Sequence, residues 1–373
     1  MKKYTYLQLL VLSFVLVFVS CKKKDKDEPT PDADFDKSAM LSNIGSSIIV
    51  ASYQNLNVKV ASLDSASMVF TASPTTNNLL ALQNAFKQAY LAWQSVSVFE
   101  FGPAEQALLR TNSNTFPTDT TQVINNIHSG NYDLSAINNI DAKGFPAIDY
   151  LLFSLDTPQL INLYTTDTYA SSRKSYLNNL INELKINVNT VYTSWNPSGG
   201  NYLATFTSSL GSDVGSSLGY IVNQLNFDFE LLKNYKIGIP LGKKTLGTPL
   251  PEKVEGYYAK NSVELAVAQL KAIENTYLGR TSPGVDRVGV DDYLIHIKAQ
   301  YNGGLLSDAI KAQLTAAITK LELIPDPLAE TIINNLAIVD AAYTELQKLV
   351  VLFKTDMPSA LGVLITYQDN DGD

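Results

Sequence analysis

The side chains able to do chemistry are few, and most stand at spacings that serve no familiar reaction. The chain carries two histidines, His128 and His296, and one cysteine, Cys21. A lone thiol excludes an intrachain disulfide framework and a multi-thiolate zinc site. Neither histidine lies in a His-x-x-Glu or His-Glu-x-x-His spacing, so a zinc-protease site of that kind lacks its ligands and its base. His128 reads as an exposed loop residue that reaches a ligand role only through space. His296, within Tyr293-Leu294-Ile295-His296-Ile297, reads as a helix-face residue. Lys243-Lys244 after Gly242 lacks the strand that a phosphate-cradling loop demands. Asp369, Asp371 and Asp373 look like the opening of a calcium loop, but no closing Glu follows them, and they read as a frayed acidic tail.

The stretch with most chemical meaning is Gly144-Phe145-Pro146-Ala147-Ile148-Asp149-Tyr150-Leu151-Leu152-Phe153, where a loop turns into a helix. Proline is tolerated in a first helical turn because its missing N–H has no intrahelical partner there. Ile148, Leu151 and Leu152 recur at helical spacing and predict a buried face. Pro146 and Asp149, three apart, share one side of that turn.

This segment resembles a worn copy of the Gly-x-His-x-x-Glu motif of the imelysin-like family of bacterial, envelope-exported, all-helical proteins. A His and a Glu at i and i+3 could serve a metal, as such pairs do in helical metal proteins. Here Pro146 holds the His position and Asp149 the Glu position, so the frame is kept and the ligand pair is broken. Ala89-Tyr90-Leu91-Ala92-Trp93-Gln94-Ser95-Val96 running into Phe101-Gly102-Pro103-Ala104-Glu105 is similar to the family's Trp-Gln helix with its Gly-Pro break. Lys236 to Gly242, Ala272 to Gly279 and the tail from Leu361-Gly362 also look like the Bacteroidetes branch. The resemblance implies a pocket near the motif and the junction of two bundles. Trp93, Phe101 and Phe145 are its expected walls, Gln94, Glu100, Glu105 and Asp149 its polar contacts, and Gly102, Pro103 and Gly144 its irregular backbone. The cofactor expectation goes no further than a metal ion.

The elements that must position these residues are helical. Apolar series with three- and four-residue steps run from Leu79 to Val96, Leu177 to Trp195, Leu218 to Leu232, Val263 to Tyr277, Leu306 to Leu321 and Leu328 to Phe353. Turn signals at Pro74, Asn196 to Gly200, Asn302-Gly303-Gly304 and Pro325-Asp326-Pro327 separate them. Two longer irregular stretches, Thr111 to Phe145 and Lys236 to Val254, read as functional or flexible loops. These signals predict an all-α fold of two packed helical bundles, residues 35–165 and 166–373, and the resemblance implies that they are up-and-down four-helix bundles.

At 373 residues, 45% hydrophobic and 17% charged, the chain can bury a sizeable core. Its formal charge is −8; Lys2 and Lys3 fall in the first twenty residues and no acid does, which leaves 26 basic against 36 acidic residues, or −10, beyond them. That balance argues against a nucleic-acid partner. Met1-Lys2-Lys3, the apolar run Leu7 to Val19 and Phe18-Val19-Ser20-Cys21 resemble a lipoprotein signal over residues 1–20, with lipidation at Cys21. Residues 21–34, charged and proline-punctuated, read as a disordered tether. The expectation is an outer-membrane lipoprotein, facing periplasm or cell surface, that holds a membrane through its lipid and offers a pocket to a small ligand or a metal. Three functions compete: a non-enzymatic binding component in iron or other nutrient acquisition, a metal-dependent peptidase, and a surface scaffold or adhesion protein.

Overall fold

The computed structural model describes residues 35–282 and 284–367. The lipidation signal with Cys21, the tether and the acidic tail lie outside the described residues. The apolar stripes become helices whose stripes meet. Helix α1 (Ala51–Ala72) continues an α-helical turn at Lys37–Ser42 and a π-helical run at Asn43–Val50. Thr75 caps α2 (Thr76–Gln94) by accepting the Asn78 N–H. Leu79, Leu82, Phe86, Ala89 and Trp93 of α2 are all buried.

The stretch expected to be irregular from Thr111 holds α3 (Thr120–Ser129), which Asp119 caps and Gly130 ends in left-handed geometry. The signals for that helix, an acidic cap followed by Val123 and Ile127 four apart, stand in the sequence. Helix α4 (Gly144–Phe153) carries the motif and packs on α2 and on α5 (Ala170–Trp195). Helix α5 also runs along α1, so the helix expected to open the second bundle completes the first. Periodicity reveals that α5 has an apolar face but does not say which helix covers it.

The second bundle comprises α6 (Ser217–Glu230), α7 (Ser262–Tyr277), α8 (Leu306–Glu322) and α9 (Leu336–Val351), with α7 between α6 and α8 and α8 against α9. The series read from Leu328 to Phe353 breaks at Asn335 and ends in a π-helical run, Leu352–Asp356. Beyond helices the described residues hold one short hairpin, Gln300–Tyr301 with Gly304–Leu305, at the Asn302-Gly303-Gly304 turn. The bundles meet where α7 packs on α2 and where α6 packs on the short turn Ser97–Phe99.

Candidate functional site

Three pieces converge at the junction: the start of α4, the π-helical continuation of α6, and residues 242–261, which form a strap between α6 and α7. The π-helical run Leu231–Gly238 widens the helix and carries Lys233, Asn234 and Lys236 inward, all buried. Such expanded turns recur at functional sites.

At the motif, Gly144 sits at φ +68°, where a Cβ would come within 2.3 Å of the Ser113 carbonyl oxygen. Only glycine tolerates both demands. Phe145 stacks on Tyr90, with centroids 4.6 Å apart and planes 3° apart. Pro146 is buried at the floor of a cavity of about 200 Å³ that Asp149, Phe116 and Tyr258 also line. Asp149 is buried, and its two oxygens accept separate backbone N–H groups from the strap, Tyr258 at 3.0 Å and Ala259 at 2.7 Å. Burial pushes its carboxyl up to about 7, against the pull of those two donors.

Deeper in the junction lies a cluster of paired charges. Lys236 contacts Glu255 of the strap at 2.6 Å and donates to the Gln94 side-chain Oε1 at 2.7 Å. Glu255 also accepts from the Gln94 amide at 3.2 Å and from Asn114 at 2.7 Å. Arg110 lies 3.7 Å from Asp228 and donates to the Ser97 carbonyl oxygen at 2.6 Å. Ser97 donates to Asp228 at 3.1 Å, and Lys354 stands 3.7 Å from Glu230. Burial pushes the Asp228 carboxyl up, opposed by Arg110. Burying such charges costs several kcal/mol per ion unless geometry and hydrogen bonds compensate, which here ties both bundles and the strap to one arrangement.

Of the residues expected in the pocket, Gln94 and Asp149 join this junction, Pro146 lies at its edge, and Phe145 is core, packed on Phe86, Tyr90 and Trp93. Trp93 is core, beside Phe145 at 6.0 Å, and its indole N–H meets no acceptor among the described residues. Phe101 is also core, against Trp195, Phe206 and Tyr220, on the far side of the Gly102-Pro103 break. Gly102 and Pro103 shape that break, with Gly102 at φ +55° and Pro103 opening a short helix. Glu100 accepts the Arg110 backbone N–H at 3.0 Å and supports the Arg110 segment. Glu105 is exposed and contributes nothing to the junction. The expectation of one cleft walled by Trp93, Phe101 and Phe145 is therefore corrected: hydrophobic burial draws all three rings into the core.

Arg110, Asp228, Lys236 as a charge, and Glu255 were not singled out by sequence. Asp228 had a readable signal, since it continues the Ile221 and Leu225 stripe of α6, where a charge is out of place. Glu255 had none. His128, in the last turn of α3, stacks on Tyr169 at 4.0 Å, and His296 is the exposed last residue of the helix Val290–His296; neither reaches the junction.

The motif's donors do not fit a transition metal. The Pro146 ring has no lone pair to offer, and both Asp149 oxygens are engaged by backbone N–H groups. Among the described residues no three His, Cys, Asp or Glu side chains converge as a metal site.

The imelysin family profile, described as Peptidase M75, matches residues 49–352. The chain belongs to the imelysin family. Its curated relatives include iron-regulated protein A of Synechococcus elongatus, 23% identical over 288 residues that span 75% of this chain and 74% of the relative. Two crystal structures share the fold of this imelysin-family protein. A candidate iron-regulated protein A precursor from Parabacteroides distasonis aligns with a TM-score of 0.73 at 17% identity, over 90% of this chain and 97% of that one. An imelysin-like protein from Psychrobacter arcticum aligns with a TM-score of 0.67 at 17% identity, over 89% and 97%. These likenesses agree with the all-helical bundles described above.

Proposed function

We propose that this imelysin-family protein is a non-enzymatic binding component, anchored at the cell envelope through Cys21, with an iron-related role in nutrient acquisition. The observation that carries the reading is the engagement of Asp149. The carboxylate standing where the family motif has its Glu holds the strap in place through two backbone N–H groups. A metallopeptidase needs a bound ion that activates water and a free base beside it. Pro146 and Asp149 supply neither. The iron-related part draws on the relative named iron-regulated protein A. The anchoring draws on the signal-like run ending at Cys21.

Purified protein is to be incubated with insulin and peptide substrates under added zinc or manganese, beside Asp149→Ala. The expected result is no cleavage by either. Cleavage that Asp149→Ala abolishes would return the protein to the peptidases. Growth of a deletion strain under iron chelation tests the iron role, with slower growth expected and parental growth counting against it. Cys21→Ala, expected to release the protein from the membrane fraction, tests the anchor.

A further inference from the structure

Glu255 is held in the way a receptor holds a ligand. Its carboxylate meets three donors from three separate segments: Lys236 from the π-helical run, Gln94 from the end of α2, and Asn114 beyond the Leu109–Ser113 turn. Gln94 and Lys236 are buried, and the donors come from both bundles. The acceptor comes from neither. It rides on the strap, whose Glu252, Tyr257 and Lys260 face solvent. We propose that Lys236, Gln94 and Asn114 form a receptor for a carboxylate-bearing ligand, and that Glu255 is its internal occupant, displaced when that ligand enters.

Several features support displacement. Loops as long as the strap in compact domains are usually functional or flexible. The strap turns through left-handed backbone at Gly256 and Lys260, and its inner side is held by Glu255, by the Asp149 latch and by the buried Val254 and Ala259. Two cavities lie near it. The cavity of about 200 Å³ is lined by Val254 and Gly256, and a second of about 150 Å³ by Asn114 and Lys236; Phe116 lines both. Charge selects the ligand class. Removing Glu255 leaves the Lys236 ammonium buried and without its anion, a costly state that an incoming anion relieves. Donors spread over both oxygens of Glu255 suit a planar carboxylate better than a spherical chloride, and a neutral amide brings no charge.

The inference rests on the binding reading above, and its test is separate from the insulin and iron experiments. Glu255→Ala vacates the receptor while leaving its donors. Formate and acetate are expected to raise the melting temperature of this variant saturably, by about 2 °C at tenfold excess over Kd. Chloride at matched ionic strength and acetamide are expected to have no effect. In wild-type protein, acetate or malonate is expected to speed amide exchange across residues 254–261 while α5 stays protected. No response of the folded variant to carboxylates overturns the proposal, and an equal response to phosphate overturns the ligand class. Rescue of the variant with unchanged wild-type exchange overturns displacement. Should Glu255→Ala fail to fold, the wild-type exchange decides alone, and unchanged exchange then overturns the proposal. In none of these cases is the broader binding reading refuted, because that reading has its own assay.

Discussion

Asp149 sets two effects against each other, and one substitution measures which prevails. Burial makes its charge costly, whereas the N–H groups of Tyr258 and Ala259 favour that charge. Burial wins, and the carboxyl titrates near 7 instead of its ordinary 3.8. At about 1.4 kcal/mol per unit, a rise of roughly three units corresponds to about 4 kcal/mol. Between pH 4 and 7 the folded protein keeps a proton that the unfolded chain has released. Stability from this group is therefore greatest near pH 4, falls as pH rises through that window, and levels off above about 7. Asp149→Asn preserves the shape and removes the titration. Its single carbonyl oxygen leaves one strap N–H without a partner, at about 1–3 kcal/mol independent of pH. Urea unfolding of both proteins from pH 4 to 8 is the assay. The stability difference should move against wild type by about 4 kcal/mol across that range. A constant difference would show that the N–H donors cancel burial, and a wild type that gains on the variant as pH rises would show that they outweigh it; either would refute the reasoning.

Other consequences follow from the same geometry. Lys236→Met leaves Glu255 buried without its cation and should cost about 3–5 kcal/mol in denaturant unfolding. Adding Glu255→Met should recover part of that loss, but not all of it, since Gln94 and Asn114 still lose their acceptor. Phe145→Ala removes a fully buried ring stacked on Tyr90 and should cost about 3–5 kcal/mol, measured the same way. Gly144→Ala should lower the melting temperature by several degrees, because a Cβ meets the Ser113 carbonyl oxygen and left-handed backbone is strained for alanine.

Much of the fold is legible in the residues. The stripes of α2, α5, α7 and α8 appear where the spacing of apolar residues puts them, because burial of one face drives both the pattern and the packing. Which helix covers which face is not legible, and α5 shows why: its stripe fits either bundle, and only three-dimensional packing assigns it to α1. The candidate site divides the same way. Gln94, Pro146 and Asp149 could be found because they sit in recognisable local frames. Asp228 was detectable as a charge on an apolar stripe. Glu255 lies in a loop with no period, and its partners are 19 to 161 residues away in sequence, counting from Lys236 to Gln94. No local pattern encodes that meeting. Trp93 and Phe101 stand in a stretch that does look like a pocket wall, yet the size of their rings takes them into the core.

The central claim is that the start of α4 is a structural joint and not a metal centre. Metal uptake measures it most directly: wild type and the Pro146→His, Asp149→Glu double variant, both stripped with chelator, are titrated with zinc and ferrous iron and assayed for bound ion. Wild type should retain no stoichiometric ion, whereas the variant regains two donors at i and i+3 and should bind more tightly. A tightly held equivalent in wild type that Asp149→Asn abolishes would contradict the account.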